Sequence, residues 1–252
     1  MNLDGVSPNR LRANLTAYET YQGEGLGIGA GGEAIAVLES RTTLRLAPGN
    51  RVGEVGCASL QLAEALLPRQ VAFQGVDIHV DPQRIKEVYA LSAAPSGMAG
   101  DDDFWVQEAD ISHSLARWEE DSLDAVFCTE TIEHLSNPYF MCAQVKRALR
   151  LGGAFVLAFP QPARNLGYGG GLHAHVMPGF LLKDSFELFM RQLFFKKIHH
   201  HENGSSDWYV FANYKGPGVV DVFSMTTGNY DDATLFDPLD AYQPPFRAAE
   251  VS

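Results

Sequence analysis

Two carboxylates stand where short apolar runs end in the middle of the chain. Asp77 ends the predicted strand at 72–77, and Asp110 follows the predicted strand at 104–109. In a doubly wound sheet, a carboxylate at the carboxyl end of a strand can accept hydrogen bonds from ribose hydroxyls. Either aspartate alone could equally cap a helix or lie in a solvated loop. Two of them at successive strand ends favour a nucleotide-like ligand.

A turn of small residues precedes these acids. The segment 52–60 reads as a strand that ends at Gly56, Cys57 and Ala58 and opens directly into a helix. Such a turn places backbone N–H groups and a helix N-terminus against a ligand, although strand-glycine-helix turns also occur for packing alone. The turn becomes informative because the two aspartates follow it in order.

A third group of polar side chains follows the fourth apolar run. Glu130, Glu133 and His134 stand at i, i+3 and i+4, so they share one face if the segment after Cys128 is helical. Two carboxylates and an imidazole could hold Mg²⁺ or a harder transition ion, with a further ligand from the loop that contains His175. The alternative is that the glutamate and histidine order the helix start without a metal.

Proton transfer is a second use for the histidines. Imidazole takes up a proton near neutral pH, so His134 and His175 are the candidate general bases for an oxygen acceptor. A structural hydrogen-bonding role is the alternative for each. The run His199–His201 lies in a predicted strand edge, and we interpret it neither as a tag nor as a metal site.

The elements that must position these residues follow from the alternation of short apolar runs with helix-length segments, which predicts βαβ units and a parallel sheet. The predicted parallel strands are Arg51–Val55, Ala72–Asp77, Phe104–Ala109, Ala125–Cys128 and Ala154–Phe159. The predicted helices are near Leu60–Leu67, Pro82–Leu91, Tyr139–Leu149 and Leu182–Leu193. Two further strands, Phe195–His200 and Trp208–Tyr214, flank a turn-like segment and predict an antiparallel hairpin at the sheet edge.

Both flanks differ from this central region, so we divide the chain into residues 1–50, 51–215 and 216–252. The first segment mixes helical stretches with the glycine-rich run 23–32, which we interpret as a loop or lid. A phosphate-binding loop is disfavoured there because no Lys-Ser/Thr pair follows. The last segment is acidic, contains prolines and shows no sustained period, so it is an extension of the central domain.

Composition limits the partners. The chain has 252 residues, a formal net charge of −12 and no cluster of basic residues, which argues against nucleic acid as the substrate. No apolar run approaches the roughly 20 residues of a membrane helix, and no secretory signal begins the chain, so we expect a cytoplasmic protein. Three cysteines without CxxC spacing argue against disulfides and a cysteine zinc site. The sequence does not indicate an oligomeric state.

Taken as a set, the motifs from about residue 50 to 160 resemble the class I S-adenosylmethionine-dependent methyltransferases, especially the small-molecule and quinone O-methyltransferases. The segments that carry the resemblance are 54–58, Asp77-Ile78, Asp110-Ile111, 124–135 and 147–153. The resemblance implies a Rossmann-like doubly wound α/β sheet of seven strands, five parallel plus a C-terminal antiparallel hairpin. It also implies S-adenosylmethionine as cofactor and a small-molecule acceptor.

The resemblance assigns roles residue by residue. Glu54 would support the methionine end of the cofactor, and Gly56, Cys57 and Ala58 would line it. Asp77 and Ile78 would hold the ribose, Asp110 and Ile111 would flank the adenine, and Cys128 would lie at the end of the fourth strand beside the cofactor. The Glu-x-x-Glu-His arrangement also resembles metal-assisted members, including ubiquinone-pathway O-methyltransferases and small-RNA 2′-O-methyltransferases.

Two positions depart from the family pattern. The family usually carries glycine where this chain has Ala58 and Leu60. If Leu60 pointed into the pocket, cofactor affinity would fall, so a methyltransferase-like binding protein without turnover is the alternative function. An NAD-dependent oxidoreductase fits less well, because residues 51–60 do not spell Gly-x-Gly-x-x-Gly.

Overall fold

Seven strands form one mixed sheet in the computed structural model, which describes residues 30–57, 59–79, 81–92, 103–160, 183–203 and 206–214. The strand order is β3-β2-β1-β4-β5-β7-β6. The strands are β1 (Arg51–Val55), β2 (Ala72–Asp77), β3 (Phe104–Glu108), β4 (Leu123–Thr129), β5 (Leu149–Pro160), β6 (Phe195–Asn203) and β7 (Ser206–Asn213). The helices are α1 (Ala30–Arg41), α2 (Gln61–Leu66), α3 (Pro82–Ser92), α4 (Pro138–Ala148) and α5 (Lys183–Gln192).

Strands β1 to β5 pair in parallel, and β7 pairs antiparallel with both β5 and β6. The predicted fold class, a doubly wound α/β sheet with five parallel strands and a C-terminal antiparallel pair, is therefore confirmed. The central strands are buried on both faces, as expected for a sheet covered by helices on each side. Because the first five strands run in parallel, their carboxyl ends meet at one edge of the sheet, and the candidate site residues lie there.

Helix α1 differs from the sequence interpretation of its residues. Ala30, Gly31 and Gly32, which we took for the end of a flexible loop, form its first turn. Ala34 and Leu38 are fully buried in the core beneath the sheet. A Cβ on Gly31 would lie 2.7 Å from the backbone nitrogen of Leu62, so α1 packs directly on the start of α2. This part of the predicted lid is core; residues 1–29 lie outside the described residues.

The amino edge of the sheet is tied together by Asp124. One carboxylate oxygen accepts from the backbone N–H of Arg51 at 2.7 Å, and the other lies 2.6 Å from the Arg150 guanidinium. The side chain therefore joins the starts of β1, β4 and β5.

Among the described residues, no helix is both long and apolar enough to span a membrane.

Candidate functional site at the carboxyl edge

The turn after β1 is fixed by its glycine. Gly56 has a φ of +79°, a left-handed conformation that residues with a side chain rarely adopt. A Cβ at this position would lie 1.9 Å from the Thr131 hydroxyl oxygen, so the turn touches the loop after β4. The Gly56 N–H donates to the carbonyl of Val76 at 2.9 Å. That N–H is therefore bonded within the protein, and the prediction that this turn directs backbone N–H groups at a ligand now concerns its other residues.

Two carboxylates lie close together beside this turn. Glu54 on β1 and Asp77 at the end of β2 are both buried, at 8% exposure each. Burial raises the pKa of Glu54 well above its ordinary value, and the nearby charge of Asp77 raises it further. Glu54 Oε2 has no hydrogen-bond partner among the described residues. A buried carboxylate oxygen without a donor leaves a place for a cationic or hydrogen-bond-donating group of a ligand.

Local hydrogen bonds orient the two aspartates. Asp77 Oδ1 accepts from the backbone N–H of His79 at 3.1 Å, which fixes the carboxylate at the strand end. Asp110 Oδ1 accepts from the Ser112 N–H at 2.9 Å, and its carbonyl accepts from the N–H groups of His113 and Ser114. Asp110 is thus a turn cap in this structure, and its contact with adenine stays a prediction.

The sequence predicts that Cys57, Cys128 and Ile111 contact the cofactor. None of these residues has an exposed side chain that could make the contact. All three side chains are buried, at 1%, 0% and 4% exposure. Cys57 Sγ lies 2.6 Å from where a Cβ would stand on Gly75, so the thiol points between the first two strands. Burial raises the pKa of both thiols. If Cys57, Cys128 and Ile111 contact the cofactor, they do so through backbone atoms, and this contact stays a prediction. Ile78, the residue after Asp77, is half-buried.

Leu60 does not point into the site. Its side chain is fully buried in the core cluster that contains Ala34 and Leu38. Its backbone has φ 54° and ψ 22°, a left-handed conformation that glycine adopts without strain, which explains why the resembled family carries glycine here. Ala58 and His175 lie outside the described residues.

The three polar residues after β4 are not arranged on a helix. β4 continues to Thr129, Glu130 has a φ of +49°, and only Ile132–His134 form one 3-10 turn. The expected shared helical face of Glu130, Glu133 and His134 is therefore wrong. The chain extends instead because the Glu130 N–H donates to the carbonyl of Ala158 at 2.8 Å.

The three side chains also have different surroundings. Glu130 Oε1 accepts from the Ser206 hydroxyl at 2.7 Å, which connects the end of β4 to β7. Glu133 is buried at 1% exposure, and its Oε2 has no hydrogen-bond partner among the described residues. Its other oxygen lies 3.6 Å from Nε2 of the partly exposed His134. Burial, and next the charge of Glu130, raises the pKa of Glu133 well above its ordinary value.

The geometry does not support Mg²⁺ at these residues. Within the described ranges, one group of histidine and acidic residues has three ligand atoms within 4.8 Å of one another, and it consists of His200, Glu202 and Asp207. Thr131 and Ser206 belong to the site but were not predicted. Their contacts join segments 75 residues or more apart, and no local pattern shows such contacts.

Comparison with known proteins agrees with this geometry. Residues 53–157 match a family model described as a methyltransferase domain. A segment of 110 residues is 30% identical to the ubiquinone biosynthesis O-methyltransferase of Paracidovorax citrulli (strain AAC00-1), covering 43% of this chain and 43% of that protein. The chain therefore matches less than half the length of this relative.

Solved structures share the fold at low sequence identity. A SAM-dependent methyltransferase from Aquifex aeolicus superposes with a TM-score of 0.51 and 13% identity, covering 71% of this chain and 89% of that one. The [4+2]-cyclase SpnF superposes with a TM-score of 0.53 and 14% identity, covering 74% and 82%. At such identity the likeness shows the fold alone, and a protein described as a cyclase shares it.

Proposed function

We propose that this chain is a class I S-adenosylmethionine-dependent methyltransferase, since residues 53–157 match the methyltransferase domain family, and that it transfers a methyl group from S-adenosylmethionine to a small-molecule acceptor, at oxygen. The observation that carries the proposal is the pair of buried carboxylates, Glu54 and Asp77, beside the Gly56 turn. When bound, S-adenosylmethionine supplies an electrophilic methyl on a sulfonium centre. The acceptor class rests on the quinone-pathway relative.

The residues of the chain fit this cofactor. Glu54 Oε2 is a buried acceptor without a donor among the described residues, and it suits the positively charged methionine end. Asp77, held by the His79 N–H, suits the ribose hydroxyls at the end of β2. Asp110 and Ile111 border the place where a doubly wound sheet binds a base. Together these residues would hold S-adenosylmethionine at the carboxyl edge of the sheet, where it would supply its electrophilic methyl group.

His134 is the described residue best placed to take the proton of the acceptor hydroxyl. It ends the 3-10 turn that follows β4, and its imidazole is partly exposed, at 31%. Burial raises the pKa of the neighbouring Glu133 carboxyl well above its ordinary value. The geometry of Glu130, Glu133 and His134 does not support a metal ion in this step. His175 stays a second candidate base, and a cytoplasmic location stays a prediction.

Binding of S-adenosylhomocysteine tests the cofactor site. Replacing Asp77 by Ala should weaken binding by about 1.5–3 kcal/mol, roughly 10- to 150-fold, because a hydrogen bond to a charged group is lost. The matched control is Glu119→Ala, which removes an exposed carboxylate near Arg51 at the opposite edge of the sheet. If calorimetry finds no binding to the wild-type protein, the proposed function fails.

Turnover separates the enzyme from the alternative, a binding protein without activity. A panel of phenolic acceptors and their amine analogues should give S-adenosylhomocysteine only with the phenols. His134→Ala should lower kcat and leave the affinity for S-adenosylhomocysteine unchanged. Cofactor binding without turnover on any acceptor would favour the binding protein, although the burial of Leu60 removes one of the two sequence arguments for it.

A further inference from the structure

The hairpin of β6 and β7 brings three potential metal ligands together. His200, Glu202 and Asp207 each place one ligand atom within 4.8 Å of the others. Asp207 is opposite Phe159, and Ser206 is opposite Pro160, so the group lies beside the carboxyl end of β5. It shares no residue with the Glu54 and Asp77 pair or with the three residues after β4, although Ser206, next to Asp207, donates to Glu130.

A register shift in β6 produces this grouping. The pairing with β7 shifts between Lys197 and His199, and beyond the shift His200 is opposite Tyr209. The His200 ring stacks on the Tyr209 ring with a centroid distance of 4.3 Å. Side chains alternate along a strand, so Glu202 follows His200 on the same face of the hairpin.

Charge supplies a reason for a cation between these strands. Glu202 and Asp207 are directly opposite each other across the ladder. Like charges in that position destabilise a strand pair. The Asp207 side chain is also largely buried, at 11% exposure, so water screens its charge only in part. A bound cation would relieve both costs.

The distance between two of the three ligand atoms suits a tetrahedral ion. His200 Nε2 lies 3.3 Å from Asp207 Oδ1, and both side chains are about one-tenth exposed. Two donor atoms that are each 2.0–2.1 Å from a tetrahedral ion lie about 3.3 Å apart. One imidazole with two carboxylates suits Zn²⁺ or a similar transition ion better than Mg²⁺, which prefers oxygen ligands and keeps its waters.

We propose that His200, Glu202 and Asp207 form a Zn²⁺-type site that clamps the hairpin and leaves one coordination position open. Three protein ligands and an open fourth position are typical of zinc sites that bind a further ligand. The proposal departs from our sequence interpretation of His199–His201, which took the run for neither a tag nor a metal site. It does not depend on the proposed function, because the site can bind its ion whether or not the protein has methyltransferase activity.

The chain contains a matched control in the same strand. His199 and His201 lie on the opposite face, where their rings are hydrogen-bonded at 3.0 Å and His201 stacks near Trp208. Replacing His199 by Ala therefore removes one imidazole from the same run without touching the proposed ligands. Glu202 is exposed, so Glu202→Gln tests a ligand with little risk to folding.

The experiment is a Zn²⁺ titration of the full chain, without a polyhistidine tag, in competition with a chromophoric chelator. The wild-type protein and His199→Ala should bind one ion more than His200→Ala and Asp207→Asn. Glu202→Gln should bind the same ion at least about tenfold more weakly. Zn²⁺ should raise the melting temperature of the wild-type protein and of His199→Ala, but not of His200→Ala, and millimolar Mg²⁺ should not compete.

Three results would overturn the site. The first is an absence of stoichiometric Zn²⁺ binding to the wild-type protein, which would leave His200 and Asp207 as a plain hydrogen-bonded pair. The second is unchanged binding in His200→Ala and Glu202→Gln. The third is a loss of the ion in His199→Ala equal to that in His200→Ala, which would assign it to the histidine run as a whole. Circular dichroism of each variant without Zn²⁺ checks its folding.

Discussion

Buried carboxylates at the two edges of the sheet differ in their hydrogen-bond partners. At the amino edge, Asp124 is bonded to the Arg51 N–H and to the Arg150 guanidinium. At the carboxyl edge, Glu54 and Glu133 are equally buried, yet each has one oxygen without a hydrogen-bond partner among the described residues. Burial raises the pKa of both glutamates well above the ordinary value.

The difference separates a structural role from a functional one. A buried charge that is fully paired contributes to joining the elements around it, whereas an unpaired one costs stability and persists where a ligand will supply the partner. The amino edge is therefore complete as it stands. At the carboxyl edge, the described residues leave one oxygen of Glu54 and one of Glu133 without a donor, and the proposed cofactor would supply a partner for Glu54.

The largest expected effect concerns the turn at the carboxyl edge. Gly56→Ala should destabilise the protein by about 3–5 kcal/mol, because the new Cβ collides with Thr131 and the φ is unfavourable. Gly49→Ala is the control, since Gly49 has a φ of +89° but no atom within 4 Å of its Cβ position. It should cost only about 1 kcal/mol. Equal losses in urea denaturation would show that the contact with Thr131 is unimportant.

The second prediction compares the loss of one buried carboxylate from each edge of the sheet. Asp124→Ala should lower the free energy of unfolding by about 2–3 kcal/mol, mainly by leaving the Arg51 N–H without its acceptor. The half-exposed Arg150 contributes little. Glu54→Gln should leave the unliganded protein as stable as the wild type, or more stable, and should weaken S-adenosylhomocysteine binding. A large loss of stability in Glu54→Gln would contradict the comparison.

The third prediction concerns how the free energy of unfolding depends on pH. Glu54 and Glu133 keep their protons to a higher pH in the folded state than in the unfolded chain. The folded state therefore binds more protons as pH rises above the ordinary carboxyl pKa, and the free energy of unfolding falls with rising pH. The double variant Glu54→Gln, Glu133→Gln should flatten this decline, and the exposed Glu119→Gln should not.

Lys146, His199 and His201 change stability with pH in the opposite direction. Burial lowers the pKa of Lys146 to about 8, so above that pH stability should rise as pH rises toward the lysine's unfolded pKa. Burial likewise lowers the pKa of His199 to about 4 and also lowers that of His201, so stability should also rise with pH below the ordinary imidazole pKa. The slope of the double variant is therefore compared with that of the wild type between pH 5 and about 7.5, because the histidine effect is common to both proteins and cancels. An unchanged slope in the double variant would show that the two glutamates titrate normally.

The sequence predicted the parallel strands best where apolar runs have clear ends. β1 and β2 begin and end as predicted, and the fold class is confirmed. β5 begins at Leu149, five residues before its predicted start, because the Gly152–Gly153 pair looks like a turn while Leu149 pairs with Leu123. Local composition could not show that pairing.

The candidate site was predicted in part for the same reason. Glu54, Gly56, Asp77 and Asp110 each follow or end a strand, so the order of motifs places them at one edge. The helical face at Glu130, Glu133 and His134 was wrong because a bond from Glu130 to Ala158 extends the chain. The His200 group depends on a register shift, and a sequence pattern does not show register.

The smallest expected effect compares two serines at the two edges of the sheet. Ser206 donates to the Glu130 carboxylate at 2.7 Å at the carboxyl edge, and Ser122 donates to the Glu119 carbonyl at 2.8 Å at the amino edge. Burial raises the pKa of Glu130, and the Ser206 hydroxyl opposes that rise because it stabilises the ionised form. Ser206→Ala should therefore cost about 1–2 kcal/mol at pH 8 and less at pH 5, because the hydroxyl bonds an ionised carboxyl more strongly than a protonated one. Ser122→Ala should cost under about 1 kcal/mol, equally at both pH values, because a carbonyl does not titrate.

Urea denaturation of the two variants at pH 5 and pH 8 measures the two losses of stability. A pH-independent loss in Ser206→Ala would show that the bond does not depend on the charge of Glu130.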